Sequence, residues 1–296
     1  MVIDGWELPV FKAALHNHST TSDGFWPVET VARLFHDAGF DVFAISDHRK
    51  ANDLSGIHIP GMTLLSGIEL HPMGPRGILW HILALGVPAD FPGIYETGRE
   101  AVAAAKAADA LVYVAHPNWC GLRVEEILEL GEVDGIEIYN SGPRVMGRGV
   151  SDELWDQMLE TGCRPCRAIA TDDCHEWTSF ALGWTMIAAR ENTPDAIQEA
   201  LRAGRFYATQ GPDFHSIELK DGHFRATFSE AVSAIVVSNQ GTGTCVCSPR
   251  WPMPGHEKQG TTSLDVDVST LPKGNYVRCQ ITDANGRYAW TQPYFV

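Results

Sequence analysis

From Phe11 to about Pro212 the sequence repeats one unit: a short apolar run that turns polar at its C-terminal end, followed by a stretch with helical spacing. The runs are KAALHNH, DVFAISDH, TLLSGIEL, HILALGV, LVYVAHPN, GIEIYN and CRAIATDD. Between them, Pro27 to Ala38 sets Val28, Val31, Ala32 and Phe35 on one helical face with Gly39 as a stop signal, and Tyr95 to Ala110 and Ser151 to Glu160 read the same way. Strands alternating with helices predict βα units around a parallel sheet or barrel, because each helix must bury its apolar stripe against the sheet.

After Gly211-Pro212 the texture changes to alternating segments, among them SIELKDGHFRATFS, SAIVVSNQ and TSLDVDVS, with Asp221-Gly222 and Asn285-Gly286 as two-residue hairpin turns. The expected division is an α/β part over 1–212 and a small antiparallel, β-sandwich-like domain over 213–296. A chain of 296 residues buries enough core to need no covalent staples. Its seven cysteines are odd in number and widely spaced, which fits reduced thiols better than a disulfide framework. Cys163-Arg-Pro-Cys166 has C-x-x-C spacing but lacks the second pair that a zinc ribbon needs.

The acidic and imidazole residues are concentrated at the ends of the runs. His16 and His18 end the first, Asp47-His48 the second, Glu69 the third and His116 the fifth, while Asp173 and His175 follow the seventh; His81 alone opens its run. In barrels of βα units the C-terminal strand ends share one face, so residues a hundred positions apart can meet there. His16-x-His18 and Asp173-x-His175 each put two donors on one side of an extended strand, because side chains alternate with period 2. A lone histidine is ordinarily a surface or hydrogen-bonded residue. Successive strand ends carrying the same ligand types point instead to a metal centre. His36, His58, His71 and His256 lack this placement and are left outside the set, His36 falling within a helix pattern. Glu137, ending GIEIYN, is read as a residue that supports the ligands or faces the substrate.

With L-H-N-H at 15–18, S-D-G at 22–24, S-D-H at 46–48, G-I-E at 67–69, H-I-L at 81–83, A-H-P at 115–117 and D-C-H at 173–175, the stretch from 11 to 212 resembles the PHP (polymerase and histidinol phosphatase) family. It looks closest to the stand-alone phosphoesterases and a related branch that hydrolyses aryl carbamates. The resemblance implies a distorted (β/α)7 TIM-like barrel with two or three divalent ions, Mn, Fe or Zn. It assigns His16, His18 and Asp173 to a first metal, with Glu69 bridging to a third. It gives Asp23, His48 and His175 to a second metal, and His81 and His116 to the third. Asp23 departs from the pattern, since many members have histidine there, and residues from 213 onwards lie outside the resemblance.

Adjacent cations lower the pKa of a shared water and polarise the bond being cleaved, which makes hydroxide the expected nucleophile. Asp47 and Arg49, flanking His48, are the candidate catalytic residues. Arg49, Asn118, Asn140 and Arg144, just past strand ends, are the candidate donors to a phosphate. The expected activity is therefore a phosphoesterase acting on a small phosphorylated metabolite or nucleotide. A carbamate or ester hydrolase would want apolar walls, for which Trp26, Trp119 and Trp177 lie near the ligand motifs. A non-catalytic binding module is the remaining alternative, against which the full ligand set argues. The sequence contains no G-x-S-x-G elbow and no G-x-x-x-x-G-K-[ST] phosphate loop. Cys120 and Cys174 sit beside proposed ligands as conceivable nucleophiles or as small buried hydrophobes.

Net charge is -15 without a basic cluster, so duplex nucleic acid is not an expected partner. Met1 to Val10 lacks a basic start and an apolar core, and no run approaches the roughly 20 apolar residues of a membrane span. A cytoplasmic protein acting on a small molecule is expected.

Overall fold

The seven runs all become strands. The computed structural model describes residues 1–247 and 260–296; His256 lies outside these. It opens with β1 (Val2–Ile3) and β2 (Trp6–Glu7), then β3 (Val10–Ala14), β4 (Val42–Ile45), β5 (Thr63–Leu70), β6 (Ile82–Leu85), β7 (Leu111–Val114), β8 (Gly135–Asn140) and β9 (Arg167–Thr171). β10 (Trp184–Ala188) and β11 (Phe206–Thr209) follow without a counterpart among the runs. Along β6, Ile82 and Ala84 join one apolar cluster while Leu83 and Leu85 join another, and β4 divides Val42 and Ala44 from Phe43 and Ile45. Strands buried on both faces read as unbroken apolar runs, which is the signal the sequence carries.

The helices are α1 (Val28–Asp37), α2 (Gly98–Ala107), α3 (Pro117–Cys120), α4 (Val124–Leu128), α5 (Asp152–Glu160) and α6 (Pro194–Ala203). α1 buries Val31, Ala32 and Phe35 as its spacing predicts, and the chain leaves it through Gly39 at φ +80°. α2 starts later than Tyr95. Thr97 Oγ1 accepts the Glu100 N–H and the Glu100 carboxylate accepts the Thr97 N–H, a reciprocal cap that fixes the first turn.

The strands do not all run parallel. β3, β4 and β5 are parallel neighbours and so are β7, β8 and β9, but β6 is antiparallel to both β5 and β7. No α-helix separates β5 from β6. A direct connection between adjacent strands reverses the chain, whereas a parallel neighbour needs a crossover. At the ends of this set β10 pairs antiparallel with β3, and Thr185 Oγ1 on β10 accepts the Ala170 N–H of β9 and donates to the Ala170 carbonyl. The result is a mixed α/β fold built on one large sheet.

Beyond 212 the chain forms β12 (Phe214–Lys220), β13 (His223–Ala231), β14 (Ser233–Ser238), β15 (Gly243–Cys247), β16 (Thr261–Asp267), β17 (Tyr276–Thr282), β18 (Tyr288–Thr291) and β19 (Tyr294–Phe295). Asp221 and Gly222 both take left-handed φ at the β12–β13 hairpin, as the turn requires. β14, β17 and β18 continue the large sheet through pairing of β18 with β11, while β12, β13 and β16 form a second sheet to which β1 adds in parallel. Phe214, Phe224 and Phe228 of the second sheet share an apolar core with Val236, Val277 and Ile281 of the first. From β17, Arg278 grips Asp156 of α5 through two contacts of 2.6 and 2.5 Å. No helix of the described residues is long and apolar enough to cross a membrane.

Candidate metal centre

The parallel strands present their C-terminal ends to one side of the sheet, and β6, running the other way, presents its N-terminal end there. His81 therefore arrives beside the residues that end β5 and β7, and its Nδ1 lies 2.8 Å from Glu69 Oε1. The exception in the sequence pattern and the reversed strand are one fact. At the end of β3, His16 and His18 face inwards while Asn17 turns away to donate to the Ala14 and Ala44 carbonyls, as alternation demands. Asp173 and Asp172 divide similarly. Asp173 faces the histidines, whereas Asp172 accepts the backbone N–H groups of Ala181, Leu182 and Gly183.

The side chains gather into three groups. His16 Nε2 and His18 Nε2, 3.0 Å apart, both face Asp173 Oδ1 (3.4 and 3.0 Å) and Glu69 Oε2 (3.4 and 3.5 Å). Asp23 Oδ1 lies 3.3 Å from both His48 Nε2 and His175 Nε2, with His18 Nδ1 at 4.0 Å. Glu69 Oε1 faces His81 Nδ1 and, at 3.3 Å, His116 Nε2. Glu69 is fully buried and shared between groups.

The atoms offered are those a cation would use. Among the described residues, His18 Nδ1, His48 Nδ1, Glu69 Oε2 and Asp173 Oδ1 are buried with no hydrogen bond of regular geometry. Buried polar atoms are otherwise almost always paired, so several orphans at one point fit divalent ions with mixed imidazole and carboxylate ligands. Backbone strain gathers at the same place, with left-handed φ at Arg49 (56°), His116 (31°) and Asp173 (51°).

Burial alone would push Glu69 and Asp173 towards the neutral acid, but the facing imidazoles, His16 foremost, hold both well below the usual carboxylate range. Burial equally opposes charge on His16 and His116. The carboxylates around His16 outweigh it there, as Cys120 and Glu69 do at His116, and both are raised. Burial prevails at His18 and His81, which are lowered.

Glu137 supports this set. Its Oε1 contacts His16 Nδ1 at 2.7 Å and accepts from Thr171 Oγ1, while Oε2 accepts the His116 N–H and the Asn140 amide. Asn140, expected to meet substrate, is buried and spends its amide on Glu137 and Asp173. Asp47, expected to be catalytic, is also buried: Ser19 and Ser22 donate to it through backbone and hydroxyl, and Asn52 through its amide. A carboxylate so fully engaged anchors the loop that carries Asp23 and has no free lone pair for proton transfer. The Asn118 amide is likewise taken, by the Val150 carbonyl.

Arg49 is exposed beside His48, and among the described residues its guanidinium makes no hydrogen bond or ion pair; Arg144, also exposed, donates to the Thr178 carbonyl. Cys174 is fully buried, which pushes its thiol far up and fits a small buried hydrophobe, and Cys120 Sγ lies against His116 Nδ1. Cys163 and Cys166 precede β9, at the end opposite Asp173.

The sequence reading missed His71. It packs between the rings of His48 and His81, at centroid distances of 4.5 and 4.3 Å, with Nε2 3.4 Å from Glu69 Oε2. Glu69-x-His71 has the same two-residue spacing as His16-x-His18 and Asp173-x-His175, and that is its signal in the sequence.

A cleft of about 260 Å³ opens beside Asp173 and His175, walled by Trp119, Gly142, Pro143, Val145, Met146, Glu176, Thr178 and Ser179. Trp119 stands edge-on to His116 and His81 and donates its indole N–H to Met146 Sδ. Trp26 and Trp177 form an edge-to-face pair.

No family model and no curated protein sequence matches the chain. Solved structures do resemble it. A two-domain protein from Bacteroides vulgatus, containing a predicted PHP-like metal-dependent phosphoesterase, superposes with a TM-score of 0.56 at 16% identity, covering 100% of this chain and 97% of that one. A lesion-specific endonuclease from Pyrococcus furiosus gives a TM-score of 0.50 at 15% identity, over 66% of this chain and 56% of that one. At these identities the likeness is one of fold, and with the Bacteroides vulgatus protein it extends along the whole of this chain.

Proposed function

We propose that the chain is a metal-dependent hydrolase, with phosphoesterase activity on a small phosphorylated metabolite or nucleotide as its reaction. The observation that carries this reading is the gathering of His and carboxylate side chains into adjoining groups, most of them sharing Glu69, with buried lone pairs aimed at common points. His16, His18, Asp173 and Glu69 would hold one ion, Asp23, His48 and His175 a second, and Glu69, His81 and His116 a third, with Mn, Fe or Zn as the candidates. Such ions, when bound, supply a nucleophile from water at neutral pH and neutralise charge on the substrate. The chain itself orients them: Glu137 fixes the ring of His16, Asn140 fixes Asp173, and Asp47 fixes the Asp23 loop. Arg49 is the candidate donor to the substrate's phosphate.

The phosphoester substrate is favoured by the shared fold with the Bacteroides vulgatus protein and by a free guanidinium beside His48. The second reading, a carbamate or carboxylic ester hydrolase, is favoured by the apolar wall that Trp119, Val145 and Met146 give the cleft. A screen of phosphomonoesters, nucleotides and aryl carbamates with metal-reconstituted protein separates the two, and activity on none of them would return the chain to the binding-module reading. The finer architecture belongs to the same proposal: a distorted (β/α)7 barrel over 1–212, and a β domain over 213–296 that contributes no ligand. So does action on small molecules in the cytoplasm and not on duplex nucleic acid, for which the acidic net charge of -15 is the support.

A further inference from the structure

His71 ends its local run of chain two residues after Glu69. Because side chains alternate, both face the centre while Leu70 packs into the apolar core. The imidazole is enclosed, its side chain only 9% exposed, and Nε2 points at Glu69 Oε2 from 3.4 Å. His48 Nδ1 reaches the same oxygen from 2.8 Å. His71 Nε2 is buried and has no hydrogen-bond partner among the described residues, while His48 Nδ1 and Glu69 Oε2, also buried, face only each other and this cluster. Buried polar atoms are otherwise almost always paired, so a ring nitrogen turned inwards to a carboxylate without a hydrogen bond fits a shared cation.

We propose that His71 is a metal ligand, holding a divalent cation through Nε2 together with Glu69 Oε2 and His48 Nδ1. Two imidazoles and a carboxylate suit Zn, Mn or Fe. His48 also presents Nε2 to Asp23, so one neutral ring faces two ion positions and can serve one of them at a time. The His71 position is therefore the weakest of the cluster, filled last and emptied first. This rests on the metal-dependent reading above.

The test is metal binding, not activity. Metal-free wild type, His71→Ala, His71→Cys and the exposed-site control His58→Ala are titrated with Zn and Mn against a chromophoric chelator, with elemental analysis of the loaded proteins and circular dichroism to verify folding. The expected result is that His71→Ala loses the weakest ion, or binds it at least about ten-fold less tightly. His71→Cys restores Zn binding through a thiolate, and His58→Ala matches wild type. Folded His71→Ala with the wild-type number of ions and wild-type affinity overturns the assignment of His71 and leaves the hydrolase reading intact. Wild type that binds no ion overturns both.

Discussion

Glu137 Oε1 lies 2.7 Å from His16 Nδ1, with both side chains fully buried. With Nδ1–H donated to Glu137, the Nε2 lone pair of His16 is left facing Glu69 and Asp173. Glu137→Gln keeps the shape but weakens the hydrogen bond that holds this orientation. The expected outcome is a 10–100-fold loss in affinity for the ion proposed at His16, His18 and Asp173, a range typical of groups that orient a metal ligand, read by chelator competition.

His48→Ala and Asp173→Ala remove proposed ligands and are expected to bring hydrolysis close to background, with fewer ions in elemental analysis. Arg49→Ala is expected to leave the ion content unchanged. A charge-assisted contact is worth about 1.5–3 kcal/mol, so kcat/KM for phosphoesters should fall by roughly one to two decades. Unchanged phosphoester hydrolysis in Arg49→Ala, with aryl carbamates the better substrates, would move the assignment to the second reading.

Stability should respond to pH in opposite senses with and without metal. In the metal-free protein His16 and His116 are raised above 6.5, so their stabilisation is complete below that value and is lost as pH rises through their folded values. Glu69 and Asp173 are depressed below 4.5 and 3.8, so theirs is present above those values and is lost only as pH falls through the lower folded ones. Metal-free Tm should therefore decline from neutral pH upwards. Loaded protein should gain over the same interval, because cations compete with protons for the same lone pairs. Thermal melts from pH 5 to about 9, with and without chelator, check both slopes.

Asp156 and Arg278 join α5 to the C-terminal strands, and the Arg278 side chain is only 3% exposed. Asp156→Ala leaves a buried guanidinium without its counter-charge, at a cost on the order of 3–5 kcal/mol. Denaturant unfolding should report a loss of that order, while Arg278→Met with Asp156→Leu should recover much of it.

What could be read from the sequence follows from what period 2 encodes. Strands buried on both faces leave unbroken apolar runs, and ligands at strand ends leave polar residues at fixed places, so the runs of the large sheet and the gathering of His16, His18, Glu69, His116 and Asp173 were legible. Strand direction is not encoded by side-chain type, so the reversal of β6 showed only as His81 at the wrong end of its run. Asp47 and Asn140 carry the right chemistry in the right segments, and only three-dimensional hydrogen bonding reveals that their polar atoms are already occupied. His71 was set aside because Glu69 already filled the strand-end place of its run, although it lies no further past its strand than His16 or His116 does past theirs.

The reversal of β6 also sets how this architecture can diversify. A strand that descends leaves the chain at the far rim, and it must climb back over residues 86–97 before α2 can run down beside β7. That return path passes Arg49, where Gly93 comes so close that a Cβ would sit 1.7 Å from the Arg49 carbonyl oxygen. A regular βα repeat has no such detour. Here it forms a strip of scaffold that touches the neighbourhood of Arg49 yet carries none of the clustered histidines and carboxylates, so substitution along it can reshape the surroundings of Arg49 while that cluster stays as it is.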